Sequence, residues 1–381
     1  MDFSLSEDQE ILLDSFSRFL QSKIQPQVDA QSEGKYSGEQ MRAMYAELLP
    51  FGMGSGLLNE ANGGLGMDEV TFGLLFEQLA RVSPDIAIMV LIQSEVALLL
   101  SDAPQDLQES HLLPLISGEL MGCIGISEPD VGSNIAEIKT RAVRDGEGWR
   151  ISGEKCWISN GDYSDFIMLV ARVEDESESG LALFAVDREM GYHTSNIEKM
   201  GLNRQSTAQV FFDDVQVPGS RMVMPPGTAL KRMLTLLQGS RPLVGLMATA
   251  IAGSALDYSI RYAKERNQFG KPIAANQLIQ SRIAEMSVKI ESARLMLLKA
   301  LYLIHHGRRC DLEVAQAKWL ATEAAVDVTR HALAIHGGNG ITLEYPVQAL
   351  YRAAPILTVT EGTAEMQQLI IGRILLDLPA F

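Results

Sequence analysis

The hydrophobic period of this chain changes twice, and the order of the changes limits the folds open to it. From Ser6 to about Gly118 apolar residues recur at helical spacing. Glu7 to Leu20 places Ile11, Leu12, Phe16 and Phe19 on one face, and Gly38 to Leu49 and Val70 to Ala80 repeat the pattern. Around Gly122 the runs become short and strand-like, as in Trp149–Ser152, Phe166–Ala171, Leu181–Val186 and Gln209–Phe212. Turn pairs Asp145-Gly146, Asn160-Gly161 and Ser179-Gly180 punctuate them. From about Thr228 long helical periods return, through Leu234–Glu265, Ile279–His305, Leu312–Ile335 and Met366–Leu378. Helices, then strands, then helices argue against an alternating βα architecture. The pattern predicts an α+β multidomain chain: an N-terminal α-helical domain over 1–120, a middle antiparallel β domain over 121–226 and a C-terminal helical domain over 227–381.

Composition narrows the function classes. The chain has 381 residues, 46% of them hydrophobic, which is ample for a large core. It carries 32 Lys+Arg against 48 Asp+Glu, a formal net charge of −16, which repels a phosphate backbone, so no nucleic-acid partner is expected. Three scattered cysteines (Cys123, Cys156, Cys310) show no metal-ligand spacing and point to a reducing compartment. The six histidines form no recognised ligand pattern either, so the expectation is no metal. The acidic start Met1–Glu7 has neither a basic nor an apolar leader region, and the apolar run Ile86–Ile92 is too short to span a bilayer. The expectation is a soluble cytoplasmic protein with no membrane span.

Several stretches carry candidate chemistry. Near the C-terminus, Thr360-Glu361-Gly362-Thr363 precedes a helix whose face is read from Met366, Leu369, Ile370 and Ile374. Thr363 suits an N-cap and Gly362 a close backbone approach, which leaves Glu361 on a connector where it either helps cap or points into a cleft. Gly122–Asn134 runs a strand into a Pro- and Gly-Ser-containing loop, which suits either a plain turn or exposed N–H groups and hydroxyls for a polar ligand. Trp157 and Ser159 share one side of a strand, as a core pair or as a stacking face with one hydrogen bond for a planar cofactor. Arg266 and Gln277 flank a hinge between helices, where an Arg suits a pyrophosphate or simply a helix dipole. Gly337-Gly338 is a helix C-cap or a ligand crossing point. Gly52–Gly56 is glycine-rich but lacks the βαβ context of a dinucleotide fingerprint and reads as a helix-end loop.

Together these stretches resemble the acyl-CoA dehydrogenase family across essentially the whole chain. The carrying motifs are Ile126-Ser127-Glu128-Pro129-x-x-Gly132-Ser133, Lys155-x-Trp157-Ile158-Ser159-Asn160-Gly161 and Tyr262-Ala263-Lys264-Glu265-Arg266-x-x-Phe269-Gly270-Lys271-Pro272-Ile273. Gly337-Gly338-Asn339-Gly340, Glu344-Tyr345-Pro346 and Glu361-Gly362-Thr363 complete the set, with Met200–Arg204 and Phe212–Pro218 matching the end of the β domain. The resemblance implies a C-terminal four-helix bundle, FAD between it and the β domain, and a homotetramer whose neighbouring subunit holds the adenine end. It assigns Ile126, Ser127, Trp157, Ile158 and Ser159 to the flavin ring, with Ser159 hydrogen-bonded to N5. Ser133 falls where the acyl-CoA or a flavin phosphate passes. Arg266, Phe269, Gln277, Gly337 and Gly338 match partner-subunit contacts, and Thr363 and Glu365 lie near the pyrophosphate and ribose.

The implied reaction is α,β-dehydrogenation of an acyl-CoA thioester, with Glu361 as general base and an electron-transfer flavoprotein as acceptor. Some family members carry the base at a position matching Ser240 here, which cannot serve. Arg241, Thr360 and Gly362 are the further substrate-side candidates. Thr360 stands where Tyr is common, Ala334 where Gln is frequent and Gln238 where Asp is common, so chain length and branching stay open. No Arg lies between Val82 and Leu99, which disfavours the glutaryl-type decarboxylating subclass. Two other readings stay open: an oxidase or carrier-protein-thioester dehydrogenase of the same fold, and a catalytically silent flavin-binding scaffold.

Overall fold

The computed structural model describes residues 4–31, 34–174 and 179–378. The N-terminal helices are α1 (Glu7–Phe19), α2 (Gln25–Ala30), α3 (Gly38–Leu48), α4 (Glu69–Val82), α5 (Pro84–Leu100), α6 (Gln105–Leu107) and α7 (Leu113–Ile116). Ser6 starts α1 through a capping box: its hydroxyl accepts from the Gln9 N–H at 3.2 Å, and the Gln9 side chain accepts from the Ser6 N–H at 3.0 Å. The inward face differs from the expected one. Leu13 and Phe16 are buried while Ile11 is 60% exposed. Phe16 and Phe19 both pack against Phe51 at 4.8 Å between ring centroids, and this aromatic contact selects the face.

Helix α5 is apolar on all sides, which requires a fully buried position. It packs against α4, against the first strand and against the long helix of the C-terminal region.

The middle region holds β1 (Gly122–Gly125), β2 (Arg141–Asp145), β3 (Gly148–Ser159), β4 (Phe166–Glu174), β5 (Ser179–Asp187), β6 (His193–Asn196), β7 (Thr207–Val217) and β8 (Met222–Met224). The sheet order is β6-β7-β3-β2-β4-β5-β8, with β1 also paired to β4. Pairing is antiparallel except β1–β4 and β2–β4, which are parallel. The run Phe166–Ala171 is apolar throughout because both faces of β4 are covered. Phe166, Met168 and Val170 face the helical core, and Ile167, Leu169 and Ala171 face a second core within the β region.

The C-terminal helices are α8 (Ala229–Glu265), α9 (Gln277–His305), α10 (Asp311–His336), α11 (Val347–Val359) and α12 (Ala364–Leu376), with the short hairpin β9 (Asn267–Gln268) and β10 (Lys271–Pro272) between α8 and α9. Helix α8 has 37 residues and is apolar and long enough to cross a bilayer by composition, yet 72% of its apolar window is buried against the rest of the protein. Helix α11 contains Pro355 and runs to Val359, so the apolar residues Pro355–Val359 just before Glu361 belong to the end of a helix.

Candidate active site

The chain passes from α11 to α12 through an unusual turn. Glu361 has φ 56° and Gly362 φ 94°, two left-handed residues in succession. For a glutamate this costs about 1–2 kcal/mol, and neighbouring groups hold it in place. A Cβ on Gly362 would come within 3.0 Å of Gln367 Nε2, so only glycine fits there. The Thr363 hydroxyl accepts from the Met366 N–H at 3.3 Å and caps α12. The inward residues of α12 are Ala364 and Gln367, whereas Leu369 from the expected face is 40% exposed.

Four side chains lock the turn. Lys318, fully buried in α10, donates to the Thr358 carbonyl at 3.2 Å and the Gly362 carbonyl at 2.8 Å. Gln367 Nε2 donates to the same Gly362 oxygen at 3.1 Å. Arg241 Nε donates to the Glu361 carbonyl at 3.1 Å, and the neighbouring Ser240 hydroxyl donates to Glu361 Oε2 at 3.1 Å. Ser240 and Arg241 therefore bring α8 directly to the carboxylate.

The electrostatics follow from this packing. Protein atoms crowd the Glu361 carboxyl, and burial raises its pKa against the Ser240 hydroxyl, Arg241 and Lys318, all of which favour the anion. Burial pushes Lys318 down to about 8, with the Glu361 charge opposing the shift. Replacing Lys318 with Met leaves two carbonyls without their charged donor, so stability is expected to fall by about 1.5–3 kcal/mol. The loosened turn is also expected to lower kcat about tenfold with little change in KM. Urea unfolding and steady-state kinetics check both effects.

A second group of site candidates lies on the sheet. Glu128 and Lys155 form an ion pair at 3.0 Å, with the Lys155 side chain wholly buried and that of Glu128 5% exposed. Glu128 also accepts from the Thr140 hydroxyl (2.6 Å) and from the N–H groups of Lys139 and Thr140 (both 2.8 Å). Lys155 Nζ donates to the Ile126 carbonyl at 2.9 Å, and the Cys156 N–H donates to the Ser127 carbonyl at 2.9 Å. These bonds fix the Ile126-Ser127 loop against β3. Burial alone would raise the Glu128 carboxyl, but the Thr140 hydroxyl, the Lys155 charge and the two N–H groups outweigh it and hold it below the usual range.

A bulge between Lys155 and Ile158 re-aims the strand at Trp157, whose φ is 65° and whose side chain is 62% exposed. Ile158 is buried, and Ile126, Ser127 and Ser159 are half-buried. Ser133 is exposed on a bend.

The third group surrounds the α8–α9 hairpin. Phe269 has φ 52° and is 98% exposed, and Arg266 and Gln277 are exposed on either side of it. Gly337 and Gly338 are exposed after α10, and a Cβ on either would meet nothing within 4 Å. Tyr262 links this turn to the end of α8: its hydroxyl donates to the His336 carbonyl at 3.2 Å and accepts from Asn339 Nδ2 at 3.1 Å. Glu365 is exposed in the first turn of α12, and its own backbone N–H and the Thr363 hydroxyl lower its pKa. Bare aromatic rings at Trp157 and Phe269, open glycine backbone and flanking Arg and Gln fit the flat ring and the pyrophosphate of FAD.

Three features escaped the reading of the sequence: Lys318, the partnership of Glu128 with Lys155, and Glu95, a carboxyl only 4% exposed on α5. The sequence offers little signal for Lys318 or Glu95, since Gln316 and Thr322 stand near the first and Gln93 and Ser94 precede the second.

Comparison with known proteins agrees with this geometry. Three family models match in order: the acyl-CoA dehydrogenase N-terminal domain over residues 6–119, the middle domain over 123–215 and the C-terminal domain over 230–376. A Bacillus subtilis (strain 168) protein described as probable acyl-CoA dehydrogenase YngJ is 32% identical, covering 99% of this chain and 100% of its own length. The glutaryl-CoA dehydrogenase of Desulfococcus multivorans is 34% identical, covering 98% and 97%. Among solved structures, butyryl-CoA dehydrogenase from Megasphaera elsdenii superposes with a TM-score of 0.91 at 31% identity, covering 99% and 100%. The chain belongs to the acyl-CoA dehydrogenase family of FAD-dependent enzymes.

Proposed function

We propose that this enzyme converts an acyl-CoA thioester to its trans-2-enoyl-CoA, with Glu361 removing the α-proton. The observation that carries the reading is the Glu361 carboxylate, held by Ser240 on a strained turn where burial makes it a stronger base than a carboxylate in water. FAD, when bound, supplies the acceptor for the hydride that leaves Cβ. Glu361 takes the α-proton and is left as the neutral acid, so the substrate loses two hydrogens and gains a double bond. Arg241 and Lys318 hold the turn that carries the carboxylate, by bonds to its carbonyls. The Thr360 hydroxyl donates to the Ile356 carbonyl at 2.9 Å, which leaves its methyl group as the apolar surface beside the base. Gly362 is the further substrate-side position of the turn in this reading, and Ser133 is assigned to the passing CoA chain.

Ile126, Ser127, Trp157, Ile158 and Ser159 hold the flavin ring in this reading, with Thr363 and Glu365 near its pyrophosphate and ribose. Arg266, Phe269, Gln277, Gly337 and Gly338 reach FAD in a neighbouring subunit, which accounts for the exposure of Phe269. The assembly is a homotetramer working in the cytoplasm and passing electrons to an electron-transfer flavoprotein. Helix α5 carries no Arg, so a glutaryl-type substrate carboxylate lacks the cation it needs there.

Anaerobic mixing of the yellow holoenzyme with a series of acyl-CoAs tests the reaction and ranks chain lengths. Bleaching by at least one of them is expected, and no bleaching by any would overturn the proposal. Sedimentation is expected to show four chains, and a clean monomer would remove the shared-cofactor part of it.

A further inference from the structure

Away from the base, a cavity of about 430 Å³ opens between α1, α4 and the second half of α8. From Arg241, which holds the Glu361 turn, to Asp257 in the cavity wall is about 24 Å along α8 at 1.5 Å per residue. No residue assigned to the flavin or to the substrate lines this cavity.

One wall is a π-helical turn. Between α1 and α2 the backbone widens over Leu20–Ile24, and Leu20 and Gln21 of that turn line the cavity. Such single π-helical turns are rare and occur frequently at functional sites. The facing wall is α8. A Cβ on Gly253 would meet Arg81 Nη1 at 2.6 Å, so the glycine lets that guanidinium lie against the helix, where Arg81 pairs with Asp257. Arg261 lies over the Tyr258 ring, 4.6 Å from its centre, and has no ion pair among the described residues. Gln78, on α4, has its Oε1 buried without a hydrogen-bond partner. A polar atom left in that state calls for an explanation.

These groups define a ligand. Arg81, Asp257 and Arg261 are the charged side chains among the described lining residues, two positive against one negative, in a chain whose formal net charge is −16. One negative charge on a ligand balances them, and a guanidinium fork matches a planar carboxylate. A phosphate dianion would bring a charge with no counterpart. The Gln78 acceptor calls for an O–H or N–H, and rotation about its soft last side-chain bond presents it to the cavity. Leu20 and Val82 are the only aliphatic side chains among the described lining residues, too little surface for an acyl tail. We propose that this cavity binds a short hydroxy acid, with its carboxylate on Arg261 and Arg81 and its hydroxyl on Gln78. Such a ligand bridges the N-terminal helices and α8, so it favours the docked arrangement of the two regions without touching the flavin.

Calorimetric titration of the yellow holoenzyme with 3-hydroxybutyrate is expected to show one saturable site per chain, with the flavin spectrum unchanged. Butyrate, which lacks the hydroxyl, is expected to bind about fivefold more weakly, the worth of one net hydrogen bond. Butane-1,3-diol, which lacks the charge, is expected not to bind. Arg261→Ala weakens 3-hydroxybutyrate about tenfold or more, while acyl-CoA reduces its flavin at the wild-type rate. Gln78→Leu lowers 3-hydroxybutyrate to the affinity of butyrate and leaves butyrate unchanged. Absence of saturable binding to the wild type overturns the proposal, and that measurement needs no variant to fold. Undiminished binding to Arg261→Ala also overturns it, because the acid then sits elsewhere. So does inorganic phosphate binding more tightly than 3-hydroxybutyrate, because the cavity then selects a different anion. None of these results bears on the assignment of Glu361.

Discussion

Glu361→Gln yields a yellow, folded protein whose flavin is reduced by acyl-CoA about 10²- to 10⁴-fold more slowly, the usual worth of a positioned general base. The amide is nearly isosteric and still accepts the Ser240 hydrogen through its oxygen, so the turn and its caps persist. What disappears is the capacity to take a proton. KM should change little, because the loss falls on an interaction made in the transition state. In the wild type the rate should fall as pH drops through the pKa of Glu361, since the base must be ionised and burial places that pKa above the ordinary carboxylate range. Rapid mixing under anaerobic conditions across pH reads both effects. A Glu361→Gln protein that bleaches at the wild-type rate would exclude this carboxylate as the base.

The second large effect concerns stability rather than turnover. Lys155→Met leaves Glu128 buried without its cation and is expected to cost about 3–5 kcal/mol. The pair itself is a different quantity. Glu128→Leu with Lys155→Met removes both charges, and the double variant should recover part of that loss. It will not recover all of it, because the Thr140 hydroxyl and the N–H groups of Lys139 and Thr140 lose their acceptor. Urea unfolding followed by tryptophan fluorescence reports the four corners of the cycle. Equal midpoints for wild type and Lys155→Met would show that the pair is not holding the loop to β3.

The arrangement of layers was legible because periodicity reflects burial, and burial organises the fold. The face of α1 was not, since Ile11 and Leu13 are equally apolar and only the contact with Phe51 decides between them. Helix α11 was hidden by Pro355, which reads as a helix breaker although it sits within the helix. At the site, the connector position of Glu361 and the Thr363 cap followed from spacing along the chain. Ser240 was read only as a residue unable to act as a base. Its bond to Glu361 joins positions 121 apart and leaves no local pattern. Lys318 was obscure for the same reason: it stands among other polar residues of α10, and the carbonyls it bonds lie on another element.

The left-handed backbone at Glu361 constrains how this sequence can drift. Gly and Asn occupy that conformation at less cost than Glu, so either would relieve about 1–2 kcal/mol there. With Glu361 as the proposed base, heat resistance and turnover pull this position in opposite directions. A population of variants kept only for surviving high temperature would tend to discard the carboxylate first, while still folding and retaining its yellow colour. On the proposed mechanism, selection on the reaction keeps a glutamate in a turn that suits glycine better.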